Sequence, residues 1–261
     1  MNITLIGAGN VATHLGQALS CAEHSIGQVY SRTAEAARTL ANALGCDATD
    51  NLSEVRAGAD VYLFCLADAV LGKVADELLK CLKAKDEGRC DALFLHTAGS
   101  LPLTVLPSSR RGVFYPMQTF SKQREVDFRQ IPIFFESDSD DELLQELARS
   151  ITDRVFRLQS DQRKLLHLSA VFACNFANYM YDLSAQVLAK ADIPFDVMLP
   201  LIDETANKVH TLPPQAAQTG PAVRADRNVM AMHESLLADD DAKLAIYQLI
   251  SKCITQSHAN D

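Results

Sequence analysis

Asn2-Ile3-Thr4-Leu5-Ile6-Gly7-Ala8-Gly9-Asn10-Val11-Ala12 is the stretch whose reading decides the fold. Ile3 to Ile6 is a short, β-rich apolar run, and beyond the glycines Val11, Leu15, Ala18 and Leu19 recur at helical spacing. The glycines therefore occupy a turn that joins a strand to a helix. Gly7 to Ala12 has the form GxGxxA, and each small residue has a task. Gly7 permits the tight turn, Gly9 lets the backbone approach a pyrophosphate, and Ala12 lets helix and strand pack closely. Free N–H groups at the helix start, around Asn10 and Val11, suit phosphate oxygens. A dinucleotide site is expected here.

Working outward, strand-like and helix-like segments alternate. A second strand is expected around Gly27 to Ser31, a helix over Thr33 to Leu44, and a short strand near Cys46 to Thr49. Val61 to Leu66 is a continuous apolar run, as a strand buried on both faces requires. A helix over Ala69 to Leu82 and strands at Ala92 to Leu95, Gly112 to Phe114 and Ile131 to Phe135 complete the series. The pattern predicts an α/β fold of the Rossmann type, with a doubly wound, mostly parallel sheet. From about Asp161 only helical periodicity remains. The expected organisation is a nucleotide-binding domain over 1–158 and an all-helical domain over 159–261 that carries substrate groups and a dimer interface.

The second strand ends in Ser31-Arg32-Thr33, with no acid between Glu23 and Glu35. An NAD site would place a carboxylate there for the ribose 2′-hydroxyl, whereas an arginine between two hydroxyls suits a 2′-phosphate. NADP is the expected cofactor.

Composition limits the partners. Among 261 residues, 33 acidic against 24 basic side chains give a net charge of −9, and no Lys/Arg-rich run exists to neutralise nucleic-acid phosphates or an anionic membrane. The seven cysteines are scattered and never form a CxxC pair, which reads as reduced thiols in a cytoplasmic protein without a metal centre. No signal-peptide pattern and no apolar run of about 18 residues is present, so neither secretion nor a membrane span is expected. The acidic runs Glu136 to Glu142 and Asp239 to Asp241 precede helical patterns and read as caps. Apolar stretches such as LSAVFACNFANYM exceed what one small bundle hides, which points to a homodimer through the helical domain.

Ligands of open parallel sheets bind beyond the carboxyl ends of the strands. Leu66 and Ala67 end the fourth strand and leave room for a nicotinamide, while Asp68 reads as a helix cap. His96 ends the next strand, followed by Thr97-Ala98-Gly99-Ser100, and is the first candidate for proton donor, with a histidine satisfied by a loop carbonyl as the alternative. Ser100 and Gln118 are candidate substrate groups. Lys164 and Asn175, and likewise His167 and Asn178, stand eleven residues apart on a long helix. That spacing is nearly a whole number of turns and aligns them as polar stripes. His167 and Asn175 are the candidates to face substrate. Thr219-Gly220-Pro221 reads as a helix start. Arg224, just beyond, could hold a carboxylate or phosphate, or else pair with Asp226.

ITLIGAGNVATHLGQAL, VYSRT, VYLFCLADAVLGKVADELL and LFLHTAGSLPLTVL together resemble the pyrroline-5-carboxylate reductase and 6-phosphogluconate dehydrogenase superfamily. Within it, the chain is similar to a bacterial branch of Rossmann-like NADP oxidoreductases. The resemblance implies a polar stripe on the long helix that closes the active site, a TGPxxRxD pattern around Arg224, and a Pro- and Met-containing loop beside the substrate. It also implies histidine where this chain carries Tyr115. The expected activity is hydride transfer between NADPH and a small polar carbonyl or imine. A non-catalytic NADP-binding sensor or scaffold, and a reductase of a soluble flavin-like cofactor, are the alternatives.

Overall fold

Continuous burial along the central strands shows how the sheet is built. A computed structural model describes residues 1–259. Strand β1 (Asn2–Ile6) leads through the Gly7–Gly9 turn to helix α1 (Asn10–Cys21). Strand β2 (Ser25–Tyr30), helix α2 (Ala34–Leu44) and strand β3 (Asp47–Thr49) follow, then β4 (Val61–Phe64), α3 (Asp68–Lys85) and β5 (Leu93–His96). Strands β6 (Arg111–Pro116) and β7 (Ile133–Ser137), helix α4 (Asp141–Arg149) and strand β8 (Val155–Arg157) complete the sheet, in the order β3-β2-β1-β4-β5-β6-β7-β8.

Leu5, Leu63 and Leu95 lie in register on β1, β4 and β5, and face a core shared with Leu15 and Leu19 of α1 and Leu144 and Leu147 of α4. Their neighbours Ile6, Phe64 and Phe94 turn to the opposite face and meet Leu71, Ala75, Leu78 and Leu82 of α3. Both faces are covered, which is why these strands read as continuous apolar runs.

Every junction is parallel except β6–β7. The connection between those two strands carries only a short 3-10 turn, Phe128–Gln130, and no crossover helix, so the chain returns antiparallel. The edge strand β8 is not legible in the sequence, because its three residues, Val155, Phe156 and Arg157, are half-buried or exposed.

By compactness the chain divides at Cys174/Asn175, within the long helix and later than the 158/159 position that periodicity suggests. The early turns of helix α5 (Ser160–Ala170) explain the difference, because Arg163 is bound to Glu136 of β7 at 2.6 Å. Residues 171–176 continue α5 as a π-helical segment, followed by α6 (Ala177–Ala189). The second unit then holds α7 (Leu199–Lys208), the short α8 (Pro214–Ala217), α9 (Arg227–Leu236) and α10 (Asp241–His258). The helix expected at Thr219-Gly220-Pro221 starts later. Residues 221–225 form turns, and Asp226 is the cap of α9, accepting from Val229 N–H at 3.2 Å. No helix among the described residues is long and apolar enough to cross a membrane.

Candidate active site

The strand order reverses between β1 and β4, and the loops leaving their carboxyl ends form the crevice in which such sheets bind ligands. Gly7 adopts φ +121°, and a Cβ there would stand 2.4 Å from the Cys65 carbonyl oxygen. Its N–H is held by the Tyr30 carbonyl at 2.8 Å. Gly9 is the N-cap residue of α1, and a Cβ on it would meet nothing within 4 Å. Ala12 is fully buried. The turn thus has a locked base and an open rim, with the unpaired amides of α1 at the opening, which fits a pyrophosphate.

At the end of β2, Ser31 N–H binds the Thr49 carbonyl at 3.1 Å. Arg32 is exposed, and no ion pair holds it among the described residues. Thr33 is the N-cap residue of α2, with no side-chain cap bond. A guanidinium, a free hydroxyl and a helix start therefore adjoin, as a 2′-phosphate requires.

A cleft of about 370 Å³ joins the ends of four strands. Gly9, Asn10 and Val11 line it from the first turn, Leu66 and Asp68 from the end of β4, Thr97 to Gly99 from β5, and Tyr115, Pro116 and Gln118 from β6. His167 of α5 supplies the facing wall. Tyr115 Oη lies 3.1 Å from His167 Nδ1. Burial raises the Tyr115 hydroxyl above the ordinary tyrosine range, and the Arg163 charge opposes that rise. Burial pushes the Cys65 thiol up to about 12, which keeps it protonated.

His96 is not in this wall. It is 0% exposed, its Nδ1 accepts the Ala98 N–H at 3.1 Å, and its Nε2 finds no well-formed hydrogen bond, with the Pro102 carbonyl the group that bears on it. Burial, reinforced by the Arg163 charge, holds it down at about 4. Because β5 is covered on both faces, the last side chain of the strand turns inward, away from the cleft. It shapes the Thr97–Gly99 turn as a neutral group. Ser100 does not line the cleft either. Its hydroxyl donates to the Asp68 carboxylate, while Ala67, expected at the nicotinamide, is the N-cap residue of α3. Asp68 is therefore a cleft carboxylate and not the cap expected.

Lys164 is exposed and paired with Asp161 at 3.0 Å. Asn175, on the second unit, lies within the π segment and is exposed. A π turn is wider than 3.6 residues, so the phase that an eleven-residue spacing assumes does not carry through it. Arg224 is exposed, with no ion pair to Asp226 among the described residues, since that carboxylate caps α9.

Three residues of this region have roles that the sequence conceals. Arg163, 1% exposed, binds Glu136 at 2.6 Å, the Leu101 carbonyl at 2.5 Å and Ser160 Oγ at 3.2 Å. Glu136 thus anchors α5 and is no helix cap. Tyr115, read only as a departure from histidine, stands against His167. The signal for it was its position at the carboxyl end of a strand.

A structure from Bacteroides fragilis, described as a "putative NADP oxidoreductase", is 50% identical over 98% of each chain, with a TM-score of 0.90. The chain belongs to the NADP oxidoreductase family. Residues 2–87 match the family described as NADP oxidoreductase coenzyme F420-dependent, and residues 131–254 match a domain of unknown function, DUF2520. Protein TM1727 from Thermotoga maritima shares the fold at 21% identity, with 99% and 98% of the chains covered and a TM-score of 0.72. An imine reductase from Myxococcus stipitatus, in complex with NADP+, shares it at 15% identity, with 100% and 93% covered and a TM-score of 0.65. No curated protein matches. The cofactor of this NADP oxidoreductase is NADP, which agrees with the open rim at Gly9 and the free guanidinium of Arg32.

Proposed function

We propose that this NADP oxidoreductase reduces a small polar carbonyl or imine in the cleft between the Gly7–Gly9 turn and His167. NADPH bound there would supply the hydride. Gly7, Gly9, Asn10 and Val11 would receive the pyrophosphate, Ser31, Arg32 and Thr33 the 2′-phosphate, and the Leu66–Ala67 backbone the nicotinamide half.

The observation that carries this reading is the meeting, in one cleft, of the dinucleotide turn and a hydrogen-bonded Tyr115–His167 pair. A pure nucleotide sensor has no need of two proton-bearing side chains beyond the nicotinamide end of the crevice. Gln118 also lines the cleft and would orient the substrate, and Ser100 would act on it through Asp68. The imine reductase with the same fold supports including imines among the substrates.

The family description for residues 2–87 favours one second reading, NADP-linked reduction of a soluble flavin-like acceptor. The test is NADPH oxidation followed at 340 nm across small keto acids, aldehydes, imines and a flavin-type acceptor. Turnover of a carbonyl or imine supports the first reading, and bleaching of the flavin-type acceptor alone supports the second. Tight NADPH binding with no turnover of any acceptor overturns both. We also infer that the chain acts as a homodimer through its helical region.

A further inference from the structure

Tyr115 and His167 are far apart in sequence, yet their rings cross edge to face at 71°, with centroids 6.2 Å apart and Oη 3.1 Å from Nδ1. The contact is held from three sides. A Cβ on Gly99 would stand 2.5 Å from His167 Nδ1, so the imidazole lies where only glycine leaves room. Arg163, one helical turn before His167, is fastened to Glu136 and to the Leu101 carbonyl, which fixes the rotation of α5. Tyr115 itself pairs with Phe134 across the β6–β7 ladder, which fixes the strand. Both side chains still line the cleft.

We propose that the Tyr115 hydroxyl gives the substrate its proton and that His167 replaces it. This rests on the reading of the chain as a carbonyl or imine reductase. Hydride forms the new C–H bond as the C=X π bond breaks, X being oxygen or nitrogen, and the electron pair moves to X. The Tyr115 O–H bond breaks as the X–H bond forms. The phenolate takes the Nδ1 proton of His167, which enters as imidazolium, and the imidazole left behind recovers the one proton consumed from the solvent. In sum NADPH, one proton and C=X become NADP+ and CH–XH. The charged and titratable groups around the pair are Arg163 on α5, Cys174 in the π segment, and Asp68 and Cys65 beyond β4. A hydroxyl kept protonated by burial suits a donor that ionises only when charge develops on X.

The experiment compares wild type, Tyr115→Phe and His167→Ala on a carbonyl or imine that wild type reduces. Tyr115→Phe should keep NADPH affinity within about twofold and lose about 10²–10⁴ in kcat, with little change in KM. His167→Ala should lose kcat and recover part of it when imidazole is added, a rescue that a packing defect would not show. Should Tyr115→Phe fail to fold, His167→Ala carries the test: imidazole-dependent recovery supports the relay, and an undiminished kcat overturns it. Retention of kcat by Tyr115→Phe within about threefold also overturns it, while the reductase reading stands. A wild type that binds NADPH and reduces nothing overturns that reading and this one with it.

Discussion

Two glycines, two residues apart, make opposite demands. A methyl group on Gly7 would collide with the Cys65 carbonyl in a backbone at φ +121°, whereas one on Gly9 projects into open space. Gly7→Ala should therefore destabilise the fold by about 1–3 kcal/mol, the usual cost of a strained backbone position, and weaken NADPH binding with it. Gly9→Ala should melt within a degree or two of wild type and lose at least tenfold in NADPH affinity, because its methyl occupies the pyrophosphate approach. Paired melting curves and NADPH titrations check this, and equal affinity losses with equal melting shifts would refute the distinction. His96 makes a different prediction. Its folded value of about 4 lies below its ordinary 6.5, so the unfolded chain binds the extra proton between these values and stability rises with pH. The stabilisation is whole above pH 6.5 and is lost as pH falls toward 4. Going from pH 7 to 4.5, wild type should lose about 2–3 kcal/mol relative to His96→Asn. Urea titrations of both proteins at the two pH values measure it, and parallel losses would contradict it.

Helix α5 shows what a single buried ion pair does for an element. Arg163 is 1% exposed and its Nε has no partner, so the guanidinium depends on Glu136, Ser160 and the Leu101 carbonyl. Arg163→Ala strands the Glu136 carboxylate and should cost about 3–5 kcal/mol, whereas Arg163→Met with Glu136→Leu should recover most of it. Denaturant unfolding of the single and double variants separates these outcomes, and a double variant as unstable as the single one would rule the pair out as the cause. Elements of this kind mark the limit of sequence reading. Strands β1, β4 and β5 were legible because both faces are buried, and the Gly7–Ala12 turn because a close backbone approach admits few residue types. Arg163 was not, since a helical arginine beside Asp161 and Lys164 looks solvated until its partner on β7 is known. Strand β8 is too short to show a period. The Tyr115–His167 contact depends on a sheet and a helix meeting, which no local pattern records. For His96, position in the sequence gives the strand end but not the face on which the side chain lies.

At the scale of the whole molecule, the helical region shows the largest imbalance. From Asn175 to Ala259, Ala222 is the one buried apolar side chain among the described residues, while Tyr179, Val197, Leu199, Leu201, Val209, Leu212, Leu236 and Leu249 are exposed. The Rossmann unit, by contrast, hides Leu5, Leu63, Phe64, Phe94 and their neighbours completely. Exposed large apolar side chains in such number mark an interaction surface, and burying apolar area is worth about 25 cal/mol per Å². A second copy of the chain supplies the same apolar helices, and a two-fold pairing lets one patch satisfy itself. Light scattering at micromolar concentration should therefore return twice the chain mass. Leu201→Glu with Leu249→Glu should lower that mass toward a monomer, or lower its melting temperature by several degrees, because buried charges in an apolar contact are costly. A wild type that scatters as a monomer across the micromolar range would leave those side chains facing water and would end the argument for pairing.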